Sequence, residues 1–165
     1  EAPYWPSFLN HYASLGVACI HVCVQNDADA KAVEAAAMPS GLRCELHQLP
    51  PAVSPDQALK QLPLLALANG AHYTLLVDRD EYLTPLRSDV GVAQLFALFP
   101  EVQQFFLPWL MAPFLDGGQT LQRGYWGHIG KPLVRSDCMA AIAFDHGFLV
   151  DETHTNLTLK HQETK

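Results

Sequence analysis

The chain has 165 residues, 49% of them hydrophobic and 16% charged, which suits one compact domain with a real core and excludes an intrinsically disordered chain. Its formal net charge of −7 repels polyanions, so DNA and acidic membrane surfaces are poor partners, and a small anionic ligand needs a metal or a local basic cluster to neutralise it. No apolar run is long enough to span a bilayer and no signal peptide is visible, which points to the cytoplasm.

Taken in chain order, "EAPYWPSFLNHYASLGV" reads as a short helix: Trp5, Phe8, Leu9, Tyr12 and Leu15 fall on one stripe, with Pro3 and Pro6 in the first turns and Gly16 as the stop. "VACIHVCV" is nearly all apolar and partly β-branched, the pattern of a strand buried on both faces of a parallel sheet. "QNDADAKAVEAAAMPSG" gives a polar turn and an Ala-rich helix capped by Asp27 or Asp29 and ending near Gly41. "LRCELHQL" is a second, more alternating strand. "SPDQALKQLPLLALANG" opens as a capping box, Ser54 with Gln57, and gives a helix split by Pro63 and ended by Gly70. "HYTLLV" is the third strand. This alternation predicts an α/β layered domain with a largely parallel sheet over residues 1–165.

The second half is less regular. "SDVGVAQLFALF" reads as a helix, "EVQQFFLPWL" as a strand, and the Gly-rich "LDGGQTLQRGYWGHIG" as a long loop. "KPLVRSD" and "CMAAIAF" are short strands, and the polar tail from Asp145 has no clear period. Cys19, Cys23, Cys44 and Cys138 form no C-x-x-C pair. On one strand Cys19 and Cys23 lie roughly 13 Å apart, too far to bridge. Free thiols among apolar neighbours are favoured over a disulfide framework or a zinc site.

The chemistry concentrates in "LLVDRDEYL", residues 75–83, where Asp78, Arg79, Asp80 and Glu81 follow a buried-looking strand. Closely spaced carboxylates repel unless something positive sits between them. Ligands bind at the carboxyl ends of strands in open α/β sheets. Asp78 and Asp80, two apart on extended chain, would point the same way. Two hard carboxylates there suit Mg²⁺ or Mn²⁺, which fill the rest of their shell with water and substrate phosphates.

This segment resembles the DxDE of the family 2-like glycosyltransferases. The opening segment is similar to theirs, a helix bearing a His, then Gly-Val, then a strand ending in Asn and Asp; here these are His11, Gly16, Val17, Asn26 and Asp27, with Glu1 and Tyr12 alongside. "GKPLVRSD" resembles their Lys-x-x-x-Arg strand, here Lys131 and Arg135, and His146 and His161 fall where a His and a Leu-x-His tail occur. The resemblance covers essentially the whole chain. It implies a GT-A-like three-layer nucleotide-binding sandwich with a mostly parallel central sheet, truncated at its amino end so that the first strand is lacking. It implies that Asp80 contacts a Mn²⁺ or Mg²⁺ ion, and that Asp78 contacts the ion or the donor ribose. Asn26, Asp27 and Asp29 would lie by the nucleoside, and Lys131 or Arg135 would neutralise the diphosphate. The implied reaction moves a sugar from a nucleotide donor, a UDP-sugar in first place, to a hydroxyl acceptor with inversion. Its general base is sought in Asp116, in the Gly-rich loop, or in Asp145. An open sheet edge left by the lacking strand would be covered by another segment or by a second copy of the chain.

Two alternatives stand beside this expectation. One is a truncated or degenerate domain that binds nucleotide without catalysis. The other is a metal-dependent nucleotidyl- or phosphoester-processing enzyme using the same carboxylates. His146, in "FDHG", is a further candidate metal ligand, and His128 a weaker one. Tyr125 and Trp126 offer aromatic faces to a sugar, with core packing the plainer role. Asn156-Leu157-Thr158 fits a glycosylation sequon. G-x-S-x-G, H-E-x-x-H and Gly-rich phosphate loops are missing from the sequence, which disfavours serine hydrolase, zinc protease and P-loop chemistry.

Overall fold

Helical spacing of large apolar side chains builds α1 (Trp5–Ser14) in the computed structural model of the chain, with Trp5, Phe8, Leu9 and Tyr12 buried as one stripe. The structure describes residues 4–50, 53, 57, 70–84, 91–111, 114–115, 120–121, 125–144, 147–150 and 155–158; from 109 to 129 and from 140 on it describes strand backbone alone. The chain divides into two compact units. The first comprises Glu1–Leu65 with Val77–Leu95, the second Ala66–Leu76 with Phe96–Lys165.

In the first unit α1 leads to β1 (Cys19–Val24), α2 (Asp27–Ser40) and β2 (Arg43–Gln48). β1 and β2 pair in parallel, with Cys19 opposite Arg43 and His21 opposite Glu45. The cap of α2 is Asn26, and neither Asp27 nor Asp29 takes that place. Asn26 has extended backbone, and its side chain accepts the Asp29 N–H at 2.9 Å and donates to the Asp29 carboxylate at 2.8 Å. Asp27 and Asp29 then occupy the first turn, where carboxylates suit the helix dipole. Gly41 ends α2 at φ +68°, a left-handed conformation that costs glycine nothing. α2 packs on α1 and on the strands, and Leu9 and Val33 are fully buried.

β1 is not buried on both faces. Val22 and Val24 are buried, whereas Cys19, His21 and Cys23 between them are half-buried. One face of the pair thus lies toward α2, and the other carries the polar side chains.

The second unit is built on a four-stranded sheet in the order β10–β4–β7–β3. Its strands are β3 (Tyr73–Leu75), β4 (Val102–Met111), β7 (Tyr125–Arg135) and β10 (Thr155–Thr158). β7 runs antiparallel to both β3 and β4, and β10 runs parallel to β4. β5 (Phe114–Leu115) with β6 (Thr120–Leu121), and β8 (Met139–Phe144) with β9 (Gly147–Val150), form small antiparallel pairs. The helix α3 (Val92–Leu98) places Phe96 in this unit's core. There it stacks on Tyr73 at 4.5 Å and meets Phe105 edge-on at 4.9 Å. Phe105 and Val134 are 0% exposed.

The fold class is therefore mixed α/β, with sheets that are short and partly antiparallel. The Gly-rich stretch read as a long loop has strand structure at Leu115, at Thr120–Leu121 and from Tyr125 on, and "KPLVR" continues the last of these strands. Gly130 is what allows it: it lies opposite Pro108, and a Cβ there would stand 2.1 Å from the Leu107 carbonyl oxygen. Gln57 is helical, and the rest of the helix expected between Ser54 and Gly70 lies outside the described residues. No helix among the described residues is long and apolar enough to cross a membrane.

Candidate functional site

Beyond β3 the chain runs through Leu76 and Val77 into the acidic segment 78–81. The Glu81 N–H donates to the Asp78 carbonyl at 3.0 Å, closing a turn. The Glu81 carboxylate swings back and accepts the Asp78 N–H at 2.7 Å. Asp78 and Asp80 stay exposed on either side of Arg79. Because Arg79 and Asp80 form the turn, the period-two rule for extended chain does not govern where Asp78 and Asp80 point.

α1 holds this turn from beneath. The buried Tyr12 hydroxyl donates to the Glu81 carbonyl at 3.0 Å and accepts the Leu83 N–H at 3.2 Å. His11 Nε2 lies 2.9 Å from the Leu83 carbonyl. A carbonyl only accepts, so the His11 proton sits on Nε2. The Tyr82 ring lies against Phe8 and His11, with centroids 6.1 and 5.1 Å away. Ser7 spends its hydroxyl proton on the Tyr4 carbonyl at 2.9 Å, so in the 3.1 Å contact Tyr82 donates to Ser7. Burial pushes the Tyr12 phenol up to about 12, with the neighbouring Glu81 adding to the rise. Phe8, His11 and Tyr12 are thus both the face of a helix and the base of the acidic turn.

The other predicted residues are placed as follows. Asn26 and Asp29 are engaged with each other in the α2 cap, and Asp27 is exposed in its first turn. Lys131 is only 5% exposed, on a stretch of β7 buried from Gly130 to Val134. Lys131 is therefore withdrawn from water. Arg135 pairs with the Asp137 carboxylate at 2.8 and 3.3 Å, which holds that carboxyl below its usual range. Lys131 and Arg135 belong to the second unit and the acidic turn to the first. Tyr125, Trp126 and His128 lie on β7 and Asn156 on β10. Asp116, Asp145, His146 and His161 lie outside the described residues. None of the four cysteines is in a disulfide, all are half-buried, and burial raises the thiols of Cys19, Cys23 and Cys44.

A second constellation was not foreseen from the sequence. On the polar face of β1–β2, His21, Glu45 and His47 gather their ligand-type atoms within 4.8 Å of one another. His21 Nδ1 is 2.9 Å from His47 Nε2 and 3.4 Å from a Glu45 carboxylate oxygen. The two rings stack at 5.2 Å with planes 22° apart. Arg43 also reaches the Glu45 carboxylate. Burial holds His21 below its ordinary value against the opposing pull of Glu45. The signal in the sequence was H-x-C on one strand and E-x-H on the next. It becomes legible only when the register sets His21 beside Glu45 and Cys23 beside His47.

No family model matches the sequence, and neither a curated protein nor a solved structure matches it.

Proposed function

We propose that the protein is a metal-dependent glycosyltransferase, in which the acidic turn 78–81 holds a divalent cation and, through it, the diphosphate of a nucleotide sugar. The observation that carries this reading is the anchoring of the turn. Tyr12 and His11 tie Glu81 and Leu83 to a buried helix face while Asp78 and Asp80 remain exposed. A merely solvated acidic loop has no need of such a base.

The donor set fits a hard cation. Asp78 and Asp80 offer carboxylate oxygens, and Mg²⁺ or Mn²⁺ takes one or two of these with water and phosphate oxygens for the rest. Asp80 and Asp78 would hold the ion, which supplies charge stabilisation for a departing diphosphate. Glu81 is the turn's internal brace, since its carboxylate is bonded to the Asp78 N–H. Tyr12 and His11 act as positioning residues. A hydroxyl acceptor then needs a base; Asp116 and Asp145, expected from the sequence for that role, lie outside the described residues.

The test is thermal unfolding with UDP and Mn²⁺, separately and together, on the wild type and on Asp80→Ala. Saturation at 100 times the Kd adds about 2.7 kcal/mol. Stabilisation that needs both ligands and vanishes in Asp80→Ala is expected. A shift that persists in Asp80→Ala refutes the placement of the site. No shift with any nucleoside diphosphate leaves a scaffold without this chemistry, and a larger shift with bare nucleotide than with sugar nucleotide favours phosphoester or nucleotidyl chemistry.

A further inference from the structure

We propose that His21, Glu45 and His47 form a binding site for one zinc-type transition-metal ion on the polar face of the β1–β2 pair, independent of the acidic turn. The backbone places the three side chains together. In a parallel pair, registered partners lie on the same face, and alternate residues share it. His21 is registered with Glu45, and His47 lies two residues beyond Glu45, so all three occupy one face. The opposite face is apolar, with Val22 and Val24 buried and Cys44 and Leu46 lining a groove with Val33 and Ala37 of α2.

The distances are those of a ligand set. Zinc bonds of roughly 2.0–2.1 Å in a tetrahedron put neighbouring ligand atoms about 3.3 Å apart. Here the separations are 2.9 Å between the two imidazole nitrogens and 3.4 Å from imidazole to carboxylate. A hydrogen bond between the two imidazoles explains the first distance, since one nitrogen donates and the other accepts. It does not explain why a carboxylate closes the triangle on the same His21 nitrogen. A cation at the centre accounts for both contacts and for three ligand-type atoms lying within 4.8 Å of one another. It would displace the proton shared by the rings, because ligating nitrogens must be deprotonated.

The donor chemistry sets the class of ion. Two imidazoles and one carboxylate suit zinc and its neighbours in the first transition row, whereas the hard carboxylates of the acidic turn suit Mg²⁺ and Mn²⁺. Two His and one Glu also leave a fourth position for water or a ligand. On the far side of the His21 ring, Nε2 lies 3.9 Å from the Cys19 sulfur, a neighbour placed to orient the ring. The His21 side chain is 14% exposed and that of Glu45 28%, so an ion can reach them from solvent.

Cobalt(II) titration of the metal-free full chain, followed by visible absorption, tests this. The expected result is one equivalent bound with the intense bands of a tetrahedral site, displaced by Zn²⁺ and not by Mg²⁺. His47→Gln and Glu45→Gln keep side-chain size and polarity. Each should weaken binding at least about 100-fold, more than losing a neighbour of a ligand does, in protein whose far-ultraviolet circular dichroism matches the wild type. Asp80→Ala should leave the cobalt spectrum and affinity unchanged, which separates this site from the acidic turn. Absence of tetrahedral bands at one equivalent, or unchanged affinity in both folded glutamine variants, overturns the proposal. So does loss of binding in Asp80→Ala.

Discussion

β1 and β7 are both apolar runs, yet they do opposite work. β1 pairs with β2, buries Val22 and Val24, and keeps a half-exposed face of Cys19, His21 and Cys23. β7 lies between β3 and β4, and every residue from Gly130 to Val134 is buried. A strand with partners on both sides and covered faces has little room for solvent-facing chemistry. On β7 even the lysine is withdrawn from water. A two-stranded pair with one helix-covered face can instead expose the other. Among the described side chains, the polar candidates that face outward or sit on an anchored turn belong to the first unit, while those described in the second unit are chiefly framework.

Truncating the framework should cost most. Phe105→Ala removes a fully buried ring that meets Phe96 and Phe99, and a loss of about 3–5 kcal/mol is expected in urea unfolding. Where the variant is still folded, affinity for Mn²⁺ and UDP should match the wild type; a large drop would mean that framework and site are not separable in this way.

Tyr12→Phe probes the first unit. It deletes the hydroxyl that joins Glu81 and Leu83, at an expected cost of about 1–3 kcal/mol. Amide exchange at residues 81–84 should quicken, and metal–nucleotide binding should weaken although no ligand atom has been removed. The same hydroxyl sets an alkaline limit. The folded chain holds the phenolic proton more tightly than the ordinary value of 10.0, with the pKa raised to about 12. That contribution is intact below pH 10 and is lost as pH rises toward 12. The decline over this window, followed by urea midpoints, should be shallower in Tyr12→Phe.

Asn26→Ala should have the smallest effect, about 1 kcal/mol for a lost helix cap. Unchanged UDP binding is expected, since the Asn26 side chain is engaged with Asp29. A loss of UDP binding well beyond the loss of stability would instead return Asn26 to the nucleotide site.

The first unit was largely legible in the sequence. The α1 stripe, both strands and the end of α2 at Gly41 follow from periodicity and turn chemistry. The α2 cap fell one residue earlier, because Asn and Asp compete almost equally for that position. The parallel direction of β1 and β2 was as expected, but in the second unit sheet direction was not legible. β3 pairs with a strand some sixty residues onward, Tyr73 opposite Arg135, and no local pattern encodes such a partner. Glycine misled the reading of residues 125–130, since a residue common in loops is also the one that fits, as Gly130 does, where two strands meet too closely for a Cβ. Of the candidate chemistry, Asp78 and Asp80 were visible as a cluster, but the support from His11 and Tyr12 spans about seventy residues. The His21–Glu45–His47 triangle exists only through the β1–β2 register.

The most direct measurement is a Mn²⁺ titration followed by electron paramagnetic resonance, with UDP present and absent, on the wild type, Asp80→Ala and Tyr12→Phe. The expected result is bound Mn²⁺ in the wild type that strengthens with UDP, is lost in Asp80→Ala and is weakened in Tyr12→Phe. Equal Mn²⁺ binding in the wild type and Asp80→Ala, with no response to UDP, would contradict the assignment of the acidic turn as a metal–diphosphate site.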